Sequence, residues 1–236
     1  MSASAPVLAI DGPSGAGKGA VSAQLARRLG WHLLDSGAVY RALALRSLQA
    51  GIDGRDEAAL VDLARNLALE FKPGVDGIEV CLAGAPVGSE LRSEAVSLRA
   101  SEVAAIPAVR AALLDEQRSR RQPPGLVADG RDMGTIVFPD AGLKIFLDAD
   151  LRERARRRFK QLKQKGKHVT FDRLYQDMLE RDRRDRERAV APTVPAPDAI
   201  VVDSTEMSLS EVVDRIEKLA RERFGDAVVS STDRTR

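Results

Sequence analysis

The stretch that most constrains this chain is Gly12-Pro13-Ser14-Gly15-Ala16-Gly17-Lys18-Gly19-Ala20, set between the apolar run 6–10 and the helix-like segment 20–29. An apolar strand that feeds a glycine-rich turn and then a helix start is the context an anion cradle requires, because the glycines let successive backbone N–H groups turn inward. The helix behind the turn adds unpaired N–H donors and the positive end of its dipole, and Lys18 adds a full charge. Residues 12–20 are therefore candidate ligands of a polyphosphate. A glycine-rich surface turn is the alternative, and it must treat the strand, the lysine and the helix as coincidence. The residue after Lys18 is Gly19, where most such loops place Ser or Thr on magnesium.

At 236 residues and 44% hydrophobic content, the chain is long enough for one substantial core. Its net charge is only +2, so a polyanion site has to be local. A single cysteine, Cys81, excludes an intrachain disulfide and, with only His32 and His168 beside it, gives no metal cluster. Cys81 reads as a half-buried small hydrophobe. The first six residues lack a basic and apolar leader, and no later run approaches membrane-spanning length. The expectation is a cytoplasmic protein without membrane partners.

Taken in order, the run 31–35 predicts a second buried strand whose carboxyl end delivers Asp35, Ser36 and Gly37, followed by Tyr40 and Arg41. Ligands of open α/β sheets sit beyond the carboxyl ends of strands, so these residues are placed to meet a second ligand near the first. A helix N-cap at Ser36 and a solvated helix face at Arg41 are equal alternatives. Helical spacing covers 56–70, and short alternating stretches punctuated by Gly74, Gly77, Gly84 and Pro86 predict a small β insertion over roughly 69–100. Residues 101–121 return to helix, kinked or restarted at Pro107, and carry Ser101 and Arg110. A third buried strand at 126–129 ends in Asp129-Gly130-Arg131-Asp132-Met133-Gly134-Thr135. Its strand-end position suits Asp129 to a metal shell and Arg131 and Asp132 to substrate, with a local ion-pair network as the alternative.

A fourth strand at 143–147 leads into two basic helices, 148–165 and 170–189. Arg181, Asp185 and Arg188 share a face at helical spacing, with Arg184 adjoining. That face could grip a nucleotide, while for most other charges here a solvated face laced by pairs such as Asp177 with Arg181 is the better reading. A fifth buried strand at 199–203 precedes a final amphipathic helix, 208–224, opened by the capping-box pair Ser208 and Glu211. Residues 225–236 read as a frayed polar tail.

Four separated stretches carry a resemblance: residues 10–19, Leu33 to Arg41, Asp129 to Thr135, and Arg181 to Pro192. Together and in this order the chain resembles the bacterial cytidylate kinases over roughly 5–224. Its phosphate loop is similar to the nucleoside monophosphate kinase form G-x-x-G-x-G-K-G-T, with Ala20 in the last position. The resemblance implies an α/β protein of the P-loop NTPase fold, with a five-stranded parallel sheet flanked by helices. It divides residues 1–225 into a core (about 5–68, 101–150 and 192–225), a monophosphate-binding insertion (about 69–100) and a basic helical lid (about 151–191), with 226–236 as a tail.

The implied reaction is direct transfer of a phosphoryl group from ATP, with Mg2+, to CMP or dCMP. By similarity, Lys18, Arg131, Arg188 and Asp129 serve catalysis, and residues 12–20 with Arg157 hold ATP. Ser36, Tyr40, Arg41, Ser101, Arg110, Arg131, Asp132, Arg181, Asp185 and Arg188 hold CMP. Among these, Ser101, Arg110 and Asp132 lie around the cytosine edge, Arg41, Arg131 and Arg188 pair with the phosphate, and Arg181 and Asp185 address the sugar. No protein atom is assured as a direct metal ligand; Asp35 and Asp129 are candidates through water. Physical chemistry agrees in part: an Asp accepts from the exocyclic amine of cytosine, and guanidinium forks match phosphate oxygens. A kinase for UMP, AMP or another small acceptor is the alternative within the class. A nucleic-acid-binding P-loop ATPase using the basic helices is the alternative outside it, disfavoured by the near-neutral charge. Small-molecule nucleotides as partners, no nucleic acid and a monomeric state complete the expectation.

Overall fold

A computed structural model describes residues 4–74, 77–88, 90–164, 166 and 168–225. The chain divides into two compact units, Met1–Leu34 with Arg121–Arg236, and Asp35–Arg120.

The first unit is built on a five-stranded sheet of order β2-β6-β1-β7-β8, from β1 (Val7–Asp11), β2 (His32–Asp35), β6 (Leu126–Asp129), β7 (Leu143–Asp148) and β8 (Ile200–Asp203). Strand β1 lies parallel between β6 and β7, with Ile10 opposite both Asp129 and Ile145. Every residue of β1 and β6 is buried, as expected of central parallel strands covered on both faces. Strands β2 and β8 differ from the expectation of full burial. They are the sheet's two edges, and only Leu34 and Val202 in them are buried, while Ile200 and Val201 are exposed.

Helix α1 (Lys18–Leu29) starts at Gly17, whose φ of 93° a side chain would strain, and ends at Gly30, whose N–H donates to the Ala26 and Arg27 carbonyls. Its buried residues Val21, Leu25 and Leu29 meet Val212, Val213 and Ile216 of α8 (Leu209–Phe224) in one core cluster, where Trp31 also packs edge-on against Phe224 at 5.2 Å. Ser208 and Glu211 form the expected capping box. Helices α6 (Leu151–Gln164) and α7 (Phe171–Glu187) are shorter than their sequence bounds. Asp148 still belongs to β7, and Arg188 caps α7 in an extended conformation instead of continuing the helical face. Asp177 approaches Arg173 at 4.0 Å, and Arg181 is near enough to Lys18 to act on its charge.

The second unit holds α2 (Ser36–Gln49), α3 (Glu57–Arg65), α4 (Glu94–Val103) and α5 (Pro107–Ser119), with an antiparallel sheet of β3 (Leu69–Gly74), β4 (Gly77–Leu82) and β5 (Ala85–Pro86). Helix α3 stops at Arg65, before Leu67, and the helix carrying Ser101 starts earlier than its sequence bound, at Glu94. Pro107 restarts the chain as the first residue of α5, where its missing N–H costs nothing. Cys81 is fully, not half, buried. The tail 226–236 falls outside the described residues, as do Lys165 and Lys167 of the turn between α6 and α7. No helix among the described residues is long and apolar enough to cross a membrane.

Candidate active site

The site in the first unit grows out of the carboxyl end of β1. Asp11 closes the strand, the chain turns through Gly12 to Gly17, and α1 opens without a side-chain cap and with no acidic residue in its first turn. Its N-terminal donors and dipole are thus left for an exogenous anion. Gly12 is obligatory at the turn, since a Cβ there would lie 2.0 Å from the Leu147 carbonyl oxygen; a Cβ on Gly17 would meet nothing within 4 Å, so the loop is open on that side. Lys18 is buried and donates from Nζ to the Pro13 carbonyl at 2.9 Å, folding back over the loop.

Around Lys18 stand Arg131, Arg181, Asp129 and Asp11. Burial first, then the Arg131 charge, push its pKa down to about 7, with Asp129 and Asp11 opposing the shift and Arg181 adding to it. Three cations converging on a cradle of N–H groups, one of them driven toward neutrality, form an arrangement that an anion would relieve. Asp129, at the end of β6, faces the start of α1: a Cβ on Gly19 would sit 3.5 Å from its Oδ2. A magnesium ion keeps several waters and takes one or two carboxylates plus phosphate oxygens. One carboxylate beside the loop fits that requirement, and among the described residues no cluster of three or more His, Cys, Asp or Glu offers an all-protein cage.

Past Asp129, Arg131 donates to Asp185 of α7 at 3.2 Å, bringing the third and fourth sequence motifs together. Asp132 is buried and precedes a π-helical turn, Met133–Val137. Arg188 donates from Nε to the Ala191 carbonyl just beyond α7. Arg157 binds the loop after β8, donating to the Ser204 and Thr205 carbonyls at 2.6 and 3.1 Å and pairing with Glu153.

In the second unit, Ser36 is buried at the first position of α2 and donates to Gln117 of α5 at 2.7 Å; the N-cap is Asp35, not Ser36. Asp35 uses one carboxylate oxygen to accept the Ala38 N–H and the other to pair with Arg41 at 2.9 Å, so a water-mediated metal role would compete with both. The Arg110 guanidinium lies over the Tyr40 ring at 5.6 Å and donates to the Ala104 carbonyl. Ser101 is half-buried on α4.

The cytidylate kinase family model matches residues 8–222. The cytidylate kinase of Aeromonas salmonicida is 55% identical over 96% of this chain and 98% of its own length. That of Klebsiella pneumoniae is 54% identical over 96% of this chain and the whole of its own. This chain belongs to the cytidylate kinase family. A solved structure from Eubacterium ventriosum, 15% identical, covers 92% of this chain and 99% of its own with a TM-score of 0.50, a likeness of fold alone.

The structure of this cytidylate kinase family member also carries residues that sequence reasoning missed. Arg154 is almost wholly buried; it donates to the Ala149 carbonyl at 2.8 Å, to the Ser14 carbonyl of the phosphate loop at 2.9 Å and to Asp182 of α7 at 2.6 Å. A Cβ on Gly15 would meet the Met178 Cε at 2.9 Å, so α7 presses on the same loop. Gln117 could have been found, since it sits seven residues after Arg110 on the same helical face. Nothing in the spacing marks Arg154 among its basic neighbours.

Proposed function

We propose that the protein transfers the γ-phosphoryl group of ATP directly to CMP or dCMP, releasing ADP and CDP or dCDP. The observation that carries this reading is the match of nearly the whole chain to cytidylate kinases; the cation cluster on the phosphate loop supports its polyphosphate half.

Residues 12–20 bind the ATP phosphates through backbone N–H groups, Lys18 neutralises charge on the transferred group, and Arg157 borders the nucleoside. Asp129 would hold a magnesium ion through water, and the ion would supply positive charge against the ATP phosphates. Arg41, Arg131 and Arg188 clamp the acceptor phosphate, which is already ionised and needs no general base. Their forks align it for in-line attack and take up the charge that spreads over the equatorial oxygens. Arg181 and Asp185 address the sugar, and Ser101, Arg110 and Asp132 the cytosine edge, with Ser36 and Tyr40 completing the acceptor's surroundings. Asp132, kept from solvent, accepts from the exocyclic amine that UMP lacks. Residues 69–100 act as the monophosphate-binding insertion and 151–191 as a lid that excludes water from the reacting phosphates. The enzyme works as a cytoplasmic monomer.

The test is ADP release with magnesium-ATP against CMP, dCMP, UMP and AMP, with a no-acceptor control. Fast release with CMP and dCMP alone is expected. Release independent of acceptor, or preferring UMP or AMP, refutes the proposal. Salt-sensitive binding of DNA or RNA is not expected, because the chain's net charge is only +2 and basic residues such as Arg154 and Arg157 pair within the protein, with Asp182 and Glu153.

A further inference from the structure

Asp11 lies outside every role assigned so far. It is buried at the end of β1, one residue before the phosphate loop. Its two carboxylate oxygens each accept a backbone N–H, from Met133 and from Gly134, both at 2.8 Å. These are the first two amides of the π-helical turn that follows Arg131 and Asp132. Such amides have no partner within their own turn and are ordinarily met by the residue in front of it. Here Asp132 holds that position, yet its side chain makes no cap hydrogen bond. The cap comes instead from the neighbouring strand, across 122 positions of sequence.

The arrangement is costly. Burial, with the Asp132 charge nearby, pushes Asp11 up to about 6 against the pull of its two N–H donors and Lys18. The packing that admits it is equally specific, since a Cβ on Gly134 would lie 3.4 Å from Asp11 Oδ2 and 3.1 Å from Lys144 Cδ. A further backbone bond, from Gly130 N–H to the Ile10 carbonyl at 3.1 Å, ties the other end of the same segment to β1. The Gly130–Gly134 segment is therefore fastened at both ends to the strand that feeds the phosphate loop.

We propose that Asp11 is a positioning residue that fixes where Arg131 and Asp132 stand relative to Lys18, and so couples recognition of the acceptor to the phosphate loop. This rests on the reading of Arg131 and Asp132 as acceptor ligands. Asp11 touches neither substrate; it acts through the turn.

The test compares Asp11→Asn, Gly134→Ala and Asp132→Ala with the unaltered protein, measuring KM for CMP, KM for ATP, kcat and the preference for CMP over UMP. Asn keeps the shape of Asp but sets an NH2 group against one of the two backbone N–H donors. A displaced turn lowers kcat/KM for CMP by about 100-fold, the scale of a misplacement near 1 Å. It also raises KM for CMP far more than KM for ATP and narrows the CMP preference. Gly134→Ala, which crowds the same turn against Lys144 and Asp11, shifts these quantities in the same direction and carries the test should Asp11→Asn fail to fold. If Asp132→Ala leaves the CMP preference intact, the acceptor reading falls and this inference with it. If Asp132→Ala abolishes the preference while Asp11→Asn and Gly134→Ala lower only thermal stability, the ligand assignment stands and the positioning role is overturned.

Discussion

Binding of a polyphosphate should make this protein take up a proton. In the ligand-free structure Lys18 is buried beside Arg131 and Arg181 and held at about 7 instead of 10.5. A γ-phosphate beside the ammonium adds the counter-charge that the site lacks and returns Lys18 to its charged form. At pH 8 a group with a pKa of about 7 carries roughly 0.1 proton, so saturation brings an uptake of about 0.9 proton per site; at pH 6 the uptake shrinks to about 0.1. Isothermal titration of ATP into the protein at pH 8, in buffers of differing ionisation enthalpy, reads this number as the slope of apparent enthalpy against buffer enthalpy. Lys18→Met provides the control and should show no slope. A flat dependence in the unaltered protein at pH 8, or an equal slope in Lys18→Met, would refute the assignment. The same shift affects stability: between pH 7 and 10.5 the folded ligand-free protein binds fewer protons than the unfolded chain, so Lys18 makes it more stable as pH rises through that window.

Other expectations follow from single contacts. Asp11 is raised from 3.8 to about 6, so the folded state holds its proton longer than the unfolded chain, and its contribution to stability, full below pH 3.8, falls by about 3 kcal/mol as pH rises through 6. The difference in urea unfolding between Asp11→Asn and the unaltered protein should drift in the variant's favour from pH 4 to pH 7; a constant difference would contradict the shift. Breaking the buried pair by Arg154→Met or by Asp182→Asn alone should cost about 3–5 kcal/mol, and the double variant less than the sum; additive losses would show that the two do not interact. Ala20 is exposed at the start of α1. Ala20→Thr restores a hydroxyl there and should lower KM for ATP at limiting magnesium with thermal stability unchanged, whereas an unaltered magnesium dependence would show that the hydroxyl is dispensable.

Features fixed by local chemistry could be read directly from the chain. The anion cradle of residues 12–19 requires only the order strand, glycines, helix, and the capping box of Ser208 and Glu211 requires only a three-residue spacing. The sheet's strands were legible from apolar runs, but which of them are edges was not, because an edge is defined by the missing neighbour; Ile200 and Val201 look as buried in sequence as Leu126 and Val127. The candidate site divides along the same line. Lys18, Arg131 and Asp185 were visible in their motifs. The buried polar contacts that fasten those motifs were not, since Asp11 reaches Met133 across 122 residues and Arg154 reaches the Ser14 carbonyl across 140. Helical spacing likewise put Arg188 on the face of Arg181, yet α7 ends one residue earlier and Arg188 turns instead to the Ala191 carbonyl.

Direct phosphoryl transfer between two nucleotides held by this chain is tested by following the label from γ-radiolabelled ATP in a single turnover with CMP. The label should appear in CDP as its β-phosphate, at the rate at which ADP forms and with none retained on the protein. Label recovered as inorganic phosphate, or bound to the chain before it reaches CDP, would contradict the account.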